Sequence, residues 1–287
     1  MLLSLGLLRM LHICPTPIGN LGDITLRVLE TLRQADLIAA EDTRHTRKLL
    51  SHYGISKPMV SFHEHNELKR LPELLENLRR GGEIALVSDA GMPGICDPGY
   101  RIIHAALEEG LPVEVLPGPS ALETALVASG FATDAFVFLG YLPRKKGDLD
   151  HTLAAIAIEP RTCVAYESPH RLRKTLDAAA ATLGDRNIAI CRELTKKFEE
   201  VTRGAAAGLA AALPDKVKGE IVLVFEGVSD SGKKSAGDAP DNLETVLAGM
   251  LDLGIPARRI AEMASSLTGL SRNHIYRLVL ELKGRNK

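Results

Sequence analysis

The sequence has no tryptophan, and its five tyrosines and six phenylalanines make up only 4% of 287 residues. So thin an aromatic supply argues against a base-stacking platform as the main binding device. Net charge is nearly absent as well, since 35 Lys and Arg against 36 Asp and Glu leave −1. Without a global basic field, any contact with nucleic acid has to use a local patch. The four cysteines (Cys14, Cys96, Cys163, Cys191) are widely spaced and form no C-x-x-C. They read as reduced cytosolic thiols. No apolar run reaches the roughly 18 residues of a membrane span. Met1–Met10 holds an apolar stretch without a basic start or a cleavage site, so it reads as a frayed extension, with Met10 as an alternative start. These absences predict a cytoplasmic protein with no membrane partner.

Several chemical signatures are missing too. G-x-G occurs nowhere, which removes the dinucleotide fingerprint, and no G-x-S-x-G supports a hydrolase. Gly227-Val-Ser-Asp-Ser-Gly-Lys233 has phosphate-loop spacing, but Lys234 stands where a Mg²⁺-binding Ser or Thr belongs and no helix pattern follows. His63-Glu-His65 places two imidazoles on one strand face, yet no third ligand has metal-like spacing. It reads as a polar strand end, and no metal is expected. Lys196-Lys-Phe-Glu-Glu200 reads as a solvated charge run.

What is present is a composition of 45% apolar and 25% charged residues, enough to bury a real core. Short apolar runs at Leu11–Cys14, Leu37–Ala40, Met59–Phe62, Ile84–Val87 and Val113–Leu116 alternate with helical periodicity, as in Thr25–Ala35 with Leu26, Val28, Leu29 and Leu32. Alternation of this kind predicts βαβ units and a largely parallel sheet. Near Gly130 the pattern restarts, with runs at Phe136–Leu139, Thr162–Tyr166, Ile188–Cys191 and Ile221–Phe225. The expected organisation is α/β throughout: a first α/β domain over 11–129 and a second over 130–228. A polar linker over 229–240 and an all-α module over 241–287 complete the chain.

Three loops carry candidate chemistry. Thr16-Pro-Ile-Gly-Asn-Leu-Gly-Asp23 follows the first strand, Ser88-Asp-Ala-Gly-Met-Pro-Gly-Ile-Cys-Asp-Pro-Gly99 the fourth, and Leu116-Pro-Gly-Pro-Ser-Ala121 the fifth. Parallel strands would deliver all three to one end of one sheet, where open α/β sheets bind ligands. The tail adds a local charge: from Pro256 to Lys287 there are seven Lys or Arg and two Asp or Glu. Ile260, Ala264, Leu270, Ile275 and Leu278 suit a helix, a turn at Gly269 and a second helix capped by Ser271. That is helix-turn-helix spacing, with Arg272, Asn273, His274 and Arg277 on the second helix. A packing or dimerisation module fits the same pattern.

Taken with Ala40-Glu-Asp-Thr-Arg-His45 and Tyr166-Glu-Ser-Pro-His-Arg171, the first two loops resemble the rRNA (cytidine-2′-O)-methyltransferase branch of the tetrapyrrole methylase superfamily. The resemblance runs from Leu11 to the tail, with Cys96 standing where the family pattern has Ser. It implies two α/β domains of the tetrapyrrole methylase type, S-adenosylmethionine in the cleft between them, and a homodimer. The small C-terminal helix-turn-helix-like module fits that branch. By motif, Ile18, Ser88, Asp89, Ala90, Pro93, Ser120, Ala121, Tyr166, Glu167, Gly219 and Glu220 are the implied cofactor contacts. The implied reaction is methyl transfer to a ribose 2′-hydroxyl of a cytidine in 16S rRNA of the small ribosomal subunit. A ribose hydroxyl is a poor nucleophile, so a nearby base helps. His63 and Glu64 are the catalytic candidates, with Asp42 and Arg44 as alternatives. Arg44 suits a phosphate better, and it joins Arg144, Lys145, Arg272 and Arg277 as an RNA-binding candidate. Two other readings compete. A porphyrin-precursor methyltransferase leaves the basic tail unexplained, and a DNA-binding regulator makes the large domains a ligand sensor.

Overall fold

The computed structural model describes residues 10–228, 243–268 and 272–285, in two compact units that divide at Gly227 and Val228. The first unit opens with β1 (Leu11–Ile13), α1 (Leu26–Gln34), β2 (Leu37–Ala40), α2 (Thr43–His52) and β3 (Met59–Ser61). It continues with α3 (Glu67–Arg79), β4 (Ile84–Val87), α4 (Tyr100–Glu108), β5 (Val113–Val115) and α5 (Ala121–Ser129). These strands make one parallel sheet in the order β3-β2-β4-β1-β5. Ile84, Ala85, Leu86 and Val87 are all buried, because a central parallel strand is covered on both faces. Thr25 caps α1 by accepting from the Val28 amide at 3.1 Å. Val28, Leu29 and Leu32 go into the core, but Leu26, read as part of the same apolar face, is 84% exposed.

A second sheet follows, built from β6 (Phe136–Tyr141), β7 (Thr162–Glu167), β8 (Asn187–Arg192), β9 (Glu200–Ala205) and β10 (Ile221–Phe225). Helices α6 (Lys146–Ile158), α7 (Leu172–Leu183) and α8 (Ala206–Ala212) connect them. The order is β6-β7-β10-β8-β9, and only the β6–β7 pair is parallel. Glu200, taken from sequence as the end of a solvated charge run, begins the edge strand β9. An edge strand needs only backbone pairing and one half-covered face, so it leaves no apolar run to read.

The two sheets meet through α5. Leu122, Ala125 and Leu126 pack with Val164, Ala189, Cys191, Val222 and Val224 of the second sheet, and Ile18 joins the same cluster. Burying each leucine there contributes about 1.5–3 kcal/mol. Arg203 on β9 donates to the Ser129 carbonyl at 2.7 Å and to the Ala128 carbonyl, placing a cation at the C-terminus of α5.

The second unit holds α9 (Leu243–Asp252), α10 (Ala257–Thr268) and α11 (Arg272–Arg285). Leu243, Leu247, Ile260, Ala261, Ala264, Ile275 and Val279 form its core. The expected linker at 229–240 and the turn residues Gly269, Leu270 and Ser271 lie outside the described residues. Among the described residues, no helix is long and apolar enough to cross a membrane.

Candidate active site

The three glycine- and proline-rich loops do converge beyond the carboxyl ends of β1, β4 and β5. Thr16 and Gly91 pair as an isolated antiparallel bridge, and the Thr16 hydroxyl donates to the Ser88 carbonyl at 3.0 Å. Ser88 Oγ reaches the Gly91 carbonyl at 3.2 Å. Gly91 has φ +79°, a conformation open to glycine at little cost, while Cys96 adopts φ +61° with a side chain. The third loop lies against the first: a Cβ on Gly118 would sit 2.8 Å from Pro15 Cβ.

These loops face the second sheet across a cleft of about 400 Å³. Ile18, Asp89, Ala90, Ser120, Ala121, Tyr166, Glu167, Gly219 and Glu220 all line it. Ser88 and Pro93 do not. Both are buried behind the surface, where Ser88 braces the loop through the bonds just described. Glu167 is 3% exposed and fully engaged. It accepts from the Ser168 amide at 2.6 Å and from the Thr175 hydroxyl at 2.5 Å, and Arg171 Nη2 lies 3.3 Å away. Its carboxylate therefore fixes the turn after β7 and presents Tyr166. The Tyr166 ring stands edge-on to Phe138 and Tyr141, with centroids at 5.1 and 5.4 Å, and burial pushes its hydroxyl pKa up. Glu220 is held by Lys196 Nζ at 3.1 Å, which also meets Glu193 at 2.9 Å.

Sequence reasoning assigned no role to Glu41, Asp97 or Tyr141, all on the cleft wall. Glu41 lies within Ala40–His45 and Asp97 within Ser88–Gly99, so these two motifs held the signal. Tyr141 arrives from β6 and left none. Glu41 Oε2 accepts from the Asp89 amide at 3.2 Å, and Asp89 Oδ1 from the Asp42 amide at 3.1 Å. Burial, then the carboxylates of Glu41 and Asp89, push the Asp97 pKa up to about 7.

His63 and Glu64 lie in an adjoining cavity of about 500 Å³, whose wall shares Glu41, Cys96 and Asp97 with the cleft. The His63 and His65 rings are 6.0 Å apart. Among the described residues, no group of three or more His, Cys, Asp or Glu is placed to hold a metal ion. Asp42 caps α2 and pairs with Arg44 at 2.7 Å, which holds its carboxyl well below the usual range and makes it a poor base. Arg44 itself is exposed. Arg144 lines a third cavity that shares Tyr141 and Ser168 with the cleft, and Lys145 is exposed just before α6. Arg272 pairs with Glu262 at 2.5 Å, and Arg277 is exposed.

The parallel sheet, the mixed sheet and the cleft between them define a class. Residues 10–210 match the model of the family Tetrapyrrole (Corrin/Porphyrin) Methylases. The fold is similar to the solved methyltransferase CobJ, with TM-score 0.59 and 18% identity, covering 77% of this chain and 95% of that one. It is also similar to uroporphyrin-III C-methyl transferase from Thermus thermophilus complexed with S-adenyl homocysteine. That match has TM-score 0.54 and 17% identity, covering 76% and 97% of the two chains.

Sequence relatives narrow the class. A ribosomal RNA small subunit methyltransferase I from Escherichia coli O157:H7 is 45% identical over 279 residues, 96% of each chain. One from Bacillus subtilis is 48% identical over 218 residues, covering 76% of this chain and 75% of the relative. The chain belongs to the ribosomal RNA small subunit methyltransferase I family and is a methyltransferase.

Proposed function

We propose that this enzyme transfers a methyl group from S-adenosylmethionine to the ribose 2′-oxygen of a cytidine in 16S rRNA of the small ribosomal subunit. The observation that carries the cofactor reading is the cleft wall itself. Glu41, Asp89 and Asp97 line it, and Lys196, the cation nearest its Glu220 edge, is already neutralised by Glu193 and Glu220. An acidic wall beside apolar Ile18, Ala90, Ala121 and Val222 suits a cationic, partly apolar cofactor. Ala90 and Gly91 would lie along it, with Tyr166 and Glu220 closing the opposite side.

When bound, the sulfonium supplies an activated methyl group. The chain's task is to hold the acceptor oxygen in line with that methyl, an orientation effect that can be large. The adjoining cavity, which shares Glu41, Cys96 and Asp97 with the cleft, fits as the place for the acceptor. Arg44, Arg144 and Lys145 are exposed cations of the first unit available to phosphates, and Arg272 and Arg277 are candidates of the same kind on the second unit. The family name of the relatives supports rRNA over a porphyrin precursor, and over a DNA-binding regulator. The same reading makes the enzyme cytoplasmic and, as the resemblance implies, a homodimer, which sedimentation at micromolar concentration tests.

The position of the methyl group has a direct chemical test. A free 2′-hydroxyl is the internal nucleophile in alkaline RNA cleavage, and methylation removes it. After reaction with labelled cofactor and alkaline hydrolysis, label should remain in an uncleaved dinucleotide beginning with cytidine. Label found only in mononucleotides sinks the assignment.

A further inference from the structure

We propose that Asp97 is the base that takes the proton from the attacking hydroxyl during methyl transfer. This rests on the reading of the cleft as the cofactor site and of the adjoining cavity as the acceptor site.

Position comes first. Asp97 lies on the wall shared by the two cavities, together with Glu41 and Cys96. A group that serves both the acceptor and the methyl donor has to stand at such a boundary. His63 and Glu64 line the adjoining cavity alone.

Availability comes second. The other cleft carboxylates already hold the protein together. Glu41 accepts the Asp89 amide, Asp89 the Asp42 amide, Glu167 the Ser168 amide and Thr175 hydroxyl, and Glu220 the Lys196 ammonium. Among the described residues, no cation is paired with Asp97. Arg101, on the same cavity wall, is bound to Glu67 at 2.6 Å. A hydrogen bond from Ser88 favours the charged form of Asp97, but it is outweighed by burial and by the two neighbouring carboxylates.

Basicity comes third. Glu41 and Asp89 face Asp97 from the ends of β2 and β4, Tyr141 and Tyr166 from β6 and β7, and Cys96 from its own loop. His63, Glu64, His65, Glu67 and Arg101 complete the adjoining wall. This surrounding brings the Asp97 carboxyl to a pKa of about 7. A proton acceptor works best with a pKa near the operating pH.

The step balances. The hydroxyl O–H bond breaks and its proton goes to Asp97, while the oxygen's electron pair forms the new O–CH₃ bond. The pair of the broken C–S bond stays on sulfur. One negative and one positive charge disappear together, with no oxidant, reductant or metal.

The test uses the full-length enzyme, small ribosomal subunits and labelled S-adenosylmethionine, with wild type, Asp97→Asn and Asp97→Glu compared between pH 5 and 9. In wild type, log kcat should rise with unit slope and level off, with a midpoint at or below pH 7 because a bound cation favours the carboxylate. Asp97→Asn should lose that limb and about a hundredfold or more in kcat, while cofactor Kd by calorimetry should rise only severalfold, the share of one carboxylate in the acidic wall. Asp97→Glu should recover part of both. An Asp97→Asn enzyme that keeps the limb, keeps its kcat or loses cofactor binding overturns the proposal. A second measurement needs no turnover: carbon-13 NMR of the cofactor-free wild type should show an aspartate carboxyl titrating near pH 7, and its absence also overturns the proposal. Label recovered on a base from wild type overturns the ribose reading and this proposal together. A normal ribose product with an unchanged Asp97→Asn limb overturns this proposal alone.

Discussion

Thr16 and Gly91 exchange two backbone hydrogen bonds, each 2.9 Å long, and so splice the loop after β1 to the loop after β4. Neither loop has a strand partner beyond the sheet, yet through this bridge each becomes part of the other's support. Ala90, beside the bridge, is thereby fixed on the cleft wall.

That rigidity predicts the effect of filling the wall. Ala90→Leu adds a branched side chain where the backbone cannot retreat, so cofactor affinity should fall about a hundredfold or more, on the scale of several kcal/mol per misplaced side chain. Calorimetry on the folded variant checks it. Unchanged affinity removes this loop from the site.

Gly118 tests the contact between the first and third loops. Its substitution by alanine drives a Cβ to 2.8 Å from Pro15 Cβ, and the proline ring cannot rotate away. Gly118→Ala should cost about 1–3 kcal/mol, read as a lowered unfolding midpoint in denaturant.

Arg171 tests the turn that presents Tyr166. Its guanidinium lies 3.3 Å from the buried Glu167 carboxylate and donates to the Leu142 and Pro143 carbonyls at 3.1 and 2.5 Å. Arg171→Ala leaves a buried carboxylate short of its cation, at a cost of about 3 kcal/mol. Arg171→Lys should recover only part, because one ammonium cannot replace a planar fork.

Asp97 also makes stability depend on pH. Its folded pKa of about 7 lies above the ordinary 3.8, so between these values the folded state holds more of this proton. Its contribution is full below pH 4 and is lost as pH rises toward 7. Asp97→Asn should therefore match wild type in thermal midpoint at pH 4 and exceed it at pH 8. An equal gap at both pH values contradicts the shift.

Truncation after Gly227 separates the two compact units. Cofactor affinity should survive. Affinity for the ribosomal subunit should fall, and log affinity should depend less steeply on log salt as phosphate contacts disappear. A truncated enzyme that binds and methylates as well as the full chain shows that the second unit is no RNA anchor.

The sequence alone determined the first sheet almost residue by residue. Parallel strands covered on both faces must be continuous apolar runs, and Leu37–Ala40 and Ile84–Val87 match the strands at both ends. It also determined the three stiff loops, because glycine and proline restrict the backbone locally. The tertiary structure decided the strand order, the antiparallel pairing of the second sheet and the edge strand β9, none of which writes a local pattern. It also decided the chemistry of the cleft. Glu41, Asp89 and Asp97 are ordinary acids along the chain, and Tyr141 belongs to the other half. Only folding brings these half-buried carboxylates together, and burial, followed by their mutual repulsion, pushes the Asp97 pKa up to about 7 and raises that of Glu41 as well.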